Sequence, residues 1–109
     1  MRRIGNTPIL KEKEIKSLFD NPKKVSSDSF VIFYKNSNER KIAFTVKRKD
    51  YKNIVMRNKM KRILKSLFLT NEKIFPDNYN YIFIANKNIL NKNFDQLENE
   101  LFNVITKLK

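Results

Sequence analysis

The chain has 109 residues, 40% hydrophobic with nine Phe, which suits one domain over 1–109 with a modest core and leaves too little for two. Lys and Arg number 24 against 11 Asp and Glu, and the net charge of +13 repels itself until a polyanion or an anionic surface neutralises it. With no His, no Cys and one Gly, the sequence excludes a Ser-His-Asp triad, a Cys nucleophile, a zinc site of the usual ligands, a Walker loop and a dinucleotide fingerprint.

Metal-dependent nucleases need clustered carboxylates. Here Asp20, Asp28, Asp50 and Asp77 stand alone, while Glu12 with Glu14, and Asp95 with Glu98 and Glu100, fall in helical patterns that suit a solvated face. No catalytic residue and no protein-bound metal is expected. No apolar run approaches the roughly 20 residues of a membrane span, and Met1 to Asn6 lacks a signal-like stretch. The absence of Cys fits a cytoplasmic location.

In chain order, Thr7-Pro8 reads as a helix N-cap followed by proline at the first helical position, with Ile15, Leu18 and Phe19 at helical spacing and Asn21-Pro22 ending the segment. Phe30 to Tyr34 is β-branched and aromatic, hence a strand, with room for a further short strand within 24–34. Asn36 to Glu39 turns into a second strand, Lys41 to Lys47. There Ile42, Phe44 and Val46 alternate with Ala43, Thr45 and Lys47, so the second face can line a groove. A basic helix follows from Ile54 to Leu69, then a turn at Pro76-Asp77-Asn78 and a strand from Tyr79 to Ala85, apolar on both sides and so central. Asn93 caps the last helix, Gln96 is placed to close a capping box, and the apolar stripe is Phe94, Leu97, Leu101, Val104, Ile105 and Leu108. The coarse order is α-β-β-α-β-α.

The densest cationic stretch carries the chemistry. Residues 47–65 hold Lys47, Arg48, Lys49, Lys52, Arg57, Lys59, Lys61, Arg62 and Lys65 against Asp50 alone. At about 100° per residue, Met56, Met60, Ile63, Leu64 and Leu67 gather on one side of the helix. Arg57, Asn58, Lys61, Arg62 and Lys65 occupy most of the other. Like charges at i,i+4 cost a few tenths of a kcal/mol per pair unless neutralised. A phosphate backbone reverses that sign and adds counterion release. Most of the aromatics Phe19, Phe30, Phe33, Tyr34, Phe44, Tyr79, Tyr81 and Phe83 are core, yet one exposed on a sheet face beside Lys47 can stack unpaired bases.

The run Val55-Met56-Arg57-Asn58-Lys59-Met60-Lys61-Arg62-Ile63-Leu64-Lys65 resembles the Arg-Asn-Arg-type helix that marks the bacterial ribonuclease P protein component. Its flanks resemble that family in order: Ile9 to Phe19 its first helix, Phe30 to Phe33 and Ile42 to Lys49 two strands, Tyr81 to Ala85 and Phe94 to Leu108 the last strand and helix. The resemblance implies an α+β class, a single-domain α/β sandwich like the second domain of ribosomal protein S5, with about four strands, three helices and a left-handed βαβ crossover. It implies a subunit of an endoribonuclease that removes the 5′ leader of precursor tRNA, in which the RNA subunit catalyses and holds most of the Mg2+. The expected partners are ribonuclease P RNA and precursor tRNA, with one protein per RNA and no membrane.

By that likeness the catalytic-RNA contacts are Arg57, Asn58, Lys59, Lys61, Arg62 and Lys65, and the leader contacts are Phe19, Phe33, Lys47, Arg48 and Lys49. Ile15 stands where the family commonly has an aromatic, and Lys59 replaces the third signature Arg, keeping charge without the planar fork. The loop Asp50 to Ile54 lacks the usual glycine. The alternative readings are a non-catalytic ribosomal or RNA-chaperone protein, and a helix-turn-helix DNA regulator, which would need a short helix where Ile42 to Val46 reads as a strand.

Overall fold

The computed structural model describes residues 3–47 and 53–108. Its elements are β1 (Arg3–Ile4), β2 (Thr7–Pro8), α1 (Glu12–Leu18), β3 (Lys23–Ser26), β4 (Phe30–Asn36), β5 (Lys41–Val46), α2 (Ile54–Thr70), β6 (Tyr79–Ala85) and α3 (Phe94–Ile105), with 3-10 turns at Glu72–Ile74 and Lys87–Asn91. Strands β3 to β6 form one mixed sheet in the order β3-β4-β6-β5. The β3–β4 and β4–β6 pairs are antiparallel, and β5 runs parallel to β6 through the α2 crossover. This is the expected α+β domain, and β3 is the anticipated further strand. Residues 42–46 are strand, so the helix-turn-helix reading falls.

Alternation along the strands gives the sheet two apolar faces of unequal size. On the larger, Phe30, Ile32, Ile42, Tyr81 and Phe83 pack against Met60, Leu64, Leu67 and Phe68 of α2 and Leu97 and Leu101 of α3. On the smaller, Leu10 and Leu18 cover Ala43 and Ile82, with Ile15, Phe33 and Ile84 at the margin. The first face is closed by two helices; the second is only half covered by α1.

Polar contacts fix α1 at both ends. Lys35 Nζ donates to the carbonyls of Ser17 (3.2 Å) and Asp20 (2.8 Å), which the helix end would otherwise leave open. At the other end Glu14 accepts from the Lys11 amide at 2.9 Å and pairs with Lys41 of β5. The Lys41 hydrogen bond, helped by the Lys11 amide, holds the Glu14 carboxyl below its ordinary range.

The N-terminus departs from the sequence expectation. Thr7-Pro8 does not cap a helix; it is β2, paired with Arg3–Ile4, and α1 begins at Glu12. The Thr7 hydroxyl donates to Glu72 Oε2 (2.6 Å) and the Asn6 amide donates to the same oxygen (2.9 Å), while Arg40 donates to Thr7 Oγ1 and to the Phe75 carbonyl. The hydroxyl that would have capped a helix therefore serves a long-range network. Gly5 turns this hairpin at φ +59°, where a β-carbon would also run into the Glu72 carboxylate.

The caps of α2 and α3 are local. Asn53 Oδ1 accepts from the Val55 amide at 2.8 Å. Asn93 and Gln96 form the expected capping box at 2.8 and 2.9 Å. A third tie joins α3 to the β3–β4 turn: Glu100 accepts from the amide and hydroxyl of Ser29 (3.1 Å each) and from Lys92 (2.7 Å), which also reaches Asp28. Burial alone would raise the Glu100 pKa, but the hydrogen bonds and charge of Lys92 and the serine contacts outweigh it and hold the carboxyl low. A depressed carboxyl stabilises the fold above its unfolded-state pKa and loses that effect as pH falls through the folded value. Glu100→Gln is therefore expected to cost roughly 1–3 kcal/mol at pH 7. Its difference from wild type in urea unfolding should shrink toward zero as the solution is acidified.

Candidate nucleic-acid interface

Packing orients the cations of α2. Met60, Leu64, Leu67 and Phe68 are buried against the sheet, with Met56 and Ile63 half-buried at their edge. That leaves Asn58, Lys59, Arg62 and Lys65 exposed and Arg57 and Lys61 half-buried. Among the described residues none of these five cations meets a carboxylate; the ion pairs are Arg40–Glu72, Lys41–Glu14, Lys92–Asp28 and Lys92–Glu100, all elsewhere. Arg57 Nε is buried with no hydrogen-bond partner among the described residues, a cost the fold bears at this position.

The half-covered sheet face supplies the second part of the site. Register places Ser26, Val31, Ile84 and Thr45 in one row across the four strands, and Lys24, Phe33, Ile82 and Ala43 in the next. Helix α1 covers the second row and leaves the first open. The result is a cleft of about 270 Å3 with an apolar floor of Val31, Phe33 and Ile84, flanked by Lys24 and Lys47. Phe19, 46% exposed at the end of α1, meets Phe33 edge-on with ring centroids 5.3 Å apart. On the other side of β5, a cleft of about 250 Å3 lies between Ile9, Ile15, Phe44, Lys61 and Lys65, so the cationic face of α2 adjoins α1.

The structure thus brings Phe19, Phe33 and Lys47 together, and sets Arg57, Asn58, Lys59, Lys61, Arg62 and Lys65 on one helix of the opposite sheet face, where Lys61 and Lys65 approach α1 at the second cleft. Arg48 and Lys49 lie outside the described residues. Of the other aromatics, Phe30, Tyr34, Tyr79, Tyr81 and Phe83 are buried and offer no stacking surface, while Phe44 packs against the core and shows one edge in the cleft beside Lys61 and Lys65. Burial pushes the Tyr81 hydroxyl pKa well above its ordinary value. Sequence patterning missed Lys24: only strand pairing puts it in the Phe33 row, and two adjacent lysines in a four-residue strand do not say which of them faces the groove.

A basic α+β domain whose helix cations meet no carboxylate among the described residues, and which also carries an apolar, lysine-flanked groove, has the features of an RNA-binding protein. The family model described as Ribonuclease P matches residues 5–109. The ribonuclease P protein component of Petrotoga mobilis is 31% identical over 105 residues, covering 90% of this chain and 87% of that protein. That of Mycoplasma mobile is 32% identical over 103 residues, covering 92% and 88%. In fold, the RNase P protein from Thermotoga maritima superposes with a TM-score of 0.79 at 20% identity, over 93% of this chain and 97% of that one. The chain belongs to the ribonuclease P protein family and serves as a protein component of that enzyme.

Arg57 tests how the interface is built. Arg57→Met keeps the aliphatic stem and removes the orphan donor, so thermal unfolding without polyanion should show a midpoint no lower than wild type. A clear drop would mean the guanidinium is held by the protein itself.

Proposed function

We propose that the α2 face grips the catalytic RNA of ribonuclease P while the groove beside α1 receives the single-stranded 5′ leader of precursor tRNA, one protein serving each RNA. The observation that carries this reading is the row of cations, unpaired among the described residues, on a helix whose opposite side is locked into the core. Arg57 and Arg62 suit phosphates through their planar forks, and Lys59, Lys61 and Lys65 act as point charges. Phe19 and Phe33 offer ring surface to unpaired bases, and Lys47, with Arg48 and Lys49 as further candidates, screens the leader backbone.

The chemistry of phosphodiester cleavage then belongs to the RNA. A protein-held magnesium ion keeps several waters and is bound through one or two carboxylates together with substrate phosphates. The described residues around both clefts are apolar or cationic apart from the Asn86 amide, and supply no carboxylate to hold one. Among the described residues no three His, Cys, Asp or Glu side chains gather into a metal-holding group. In this reading the ions stay with the RNA, and the protein screens repulsion between enzyme RNA and leader. We assign the work to the cytoplasm as part of this reading. No helix among the described residues is long and apolar enough to cross a membrane.

The decisive experiment adds the purified chain to a bacterial ribonuclease P RNA at low magnesium. Restored 5′ maturation of precursor tRNA supports the reading, and no gain over a generic RNA-binding protein overturns it. Phe19→Ala should weaken binding of precursor tRNA and spare mature tRNA, because a half-exposed ring contributes more to the groove than to the core. Equal losses on both substrates in a binding titration would remove Phe19 from the leader site.

A further inference from the structure

The groove beside α1 has two ends. Its floor crosses all four strands, from β3 at one edge of the sheet to β5 at the other. Lys47 stands at the β5 end, on the segment leading toward α2, and Lys24 stands at the β3 end. The long wall is α1, since Leu18 and Ile15 sit over the neighbouring row and Phe19 meets Phe33. Three strand spacings separate the ends, about 14 Å.

Resting on the reading of this groove as the leader site, we infer that Lys24 is a second phosphate anchor, so that the leader crosses the strands alongside α1 and is held at both ends. Lys24 is exposed, pairs with no carboxylate among the described residues, and lines the same apolar cleft as Lys47. A greasy floor between two cations holds bases by their faces and the backbone by charge, without reading sequence. The neighbouring Lys23 is a built-in control. It has the same charge on the same strand but is paired with Tyr34, in the row turned toward α2 and α3.

The test measures equilibrium binding of precursor tRNAs with leaders of increasing length to holoenzyme assembled with wild-type, Lys24→Gln or Lys23→Gln protein. Lys24→Gln should match wild type on the shortest leaders. It should lose affinity several-fold once the leader is long enough to reach β3, and its salt dependence should then fall by roughly one counterion. Lys23→Gln should show no such step. If the two variants shift together at every length, or Lys24→Gln loses nothing on the longest leader, Lys24 is not an anchor. If wild-type affinity itself ignores leader length, the leader-site reading fails first and takes this inference with it.

Discussion

The fold depends on how α2 divides its side chains. Burial of Met60, Leu64, Leu67 and Phe68 fixes the rotation of the helix about its axis, and that rotation alone decides where Arg57, Lys61 and Lys65 project. Each buried side chain of this size contributes on the order of 1.5–3 kcal/mol. The mutual repulsion of exposed like charges one turn apart costs a few tenths. Packing wins, and the cations are held close together although they repel each other. The helix is thus organised in advance for a ligand that is not part of the chain, which lowers the ordering cost of binding.

The carboxylates follow the same logic. Glu14, Glu72, Glu100 and Asp28 are engaged in internal pairs that pin α1, the N-terminal hairpin and α3 to the sheet. None is spent on neutralising α2. The acids therefore stabilise the scaffold, and the positive surface keeps its field. Covering one sheet face with two helices and the other with a seven-residue helix has a parallel effect, because the short α1 leaves a strip of Val31, Phe33 and Ile84 for a ligand.

Much of this was legible in the sequence because it is written locally. The 3.6-residue period of Met60, Leu64 and Leu67, the alternation from Ile42 to Val46 and the Asn93–Gln96 box each announce their element within one window. What was not legible depends on partners far away in sequence. Thr7-Pro8 has the form of a helix start, but Glu72, 65 residues on, takes the Thr7 hydroxyl and makes the segment a hairpin. Lys24 joins Phe33 only through strand register, and Phe19 is separated from the buried aromatics only by where α1 ends. Motifs placed the cationic helix; tertiary pairing was needed to draw the groove.

The position of β6 between β4 and β5 bears on how the molecule forms. The two strands that follow each other along the chain, β4 and β5, never pair with each other; β4 has β3 beside it, but its second neighbour and the sheet neighbour of β5 is β6, which comes after the whole of α2. Such a non-local closure raises contact order and slows the search for the native arrangement. During synthesis α2 emerges before β6, the strand that joins β4 to β5 beneath it, so its basic side is formed while its apolar side is still incompletely covered. Correct presentation of one side is thus gated by completion of the other, and a polyanion captured too early would find a helix free to roll.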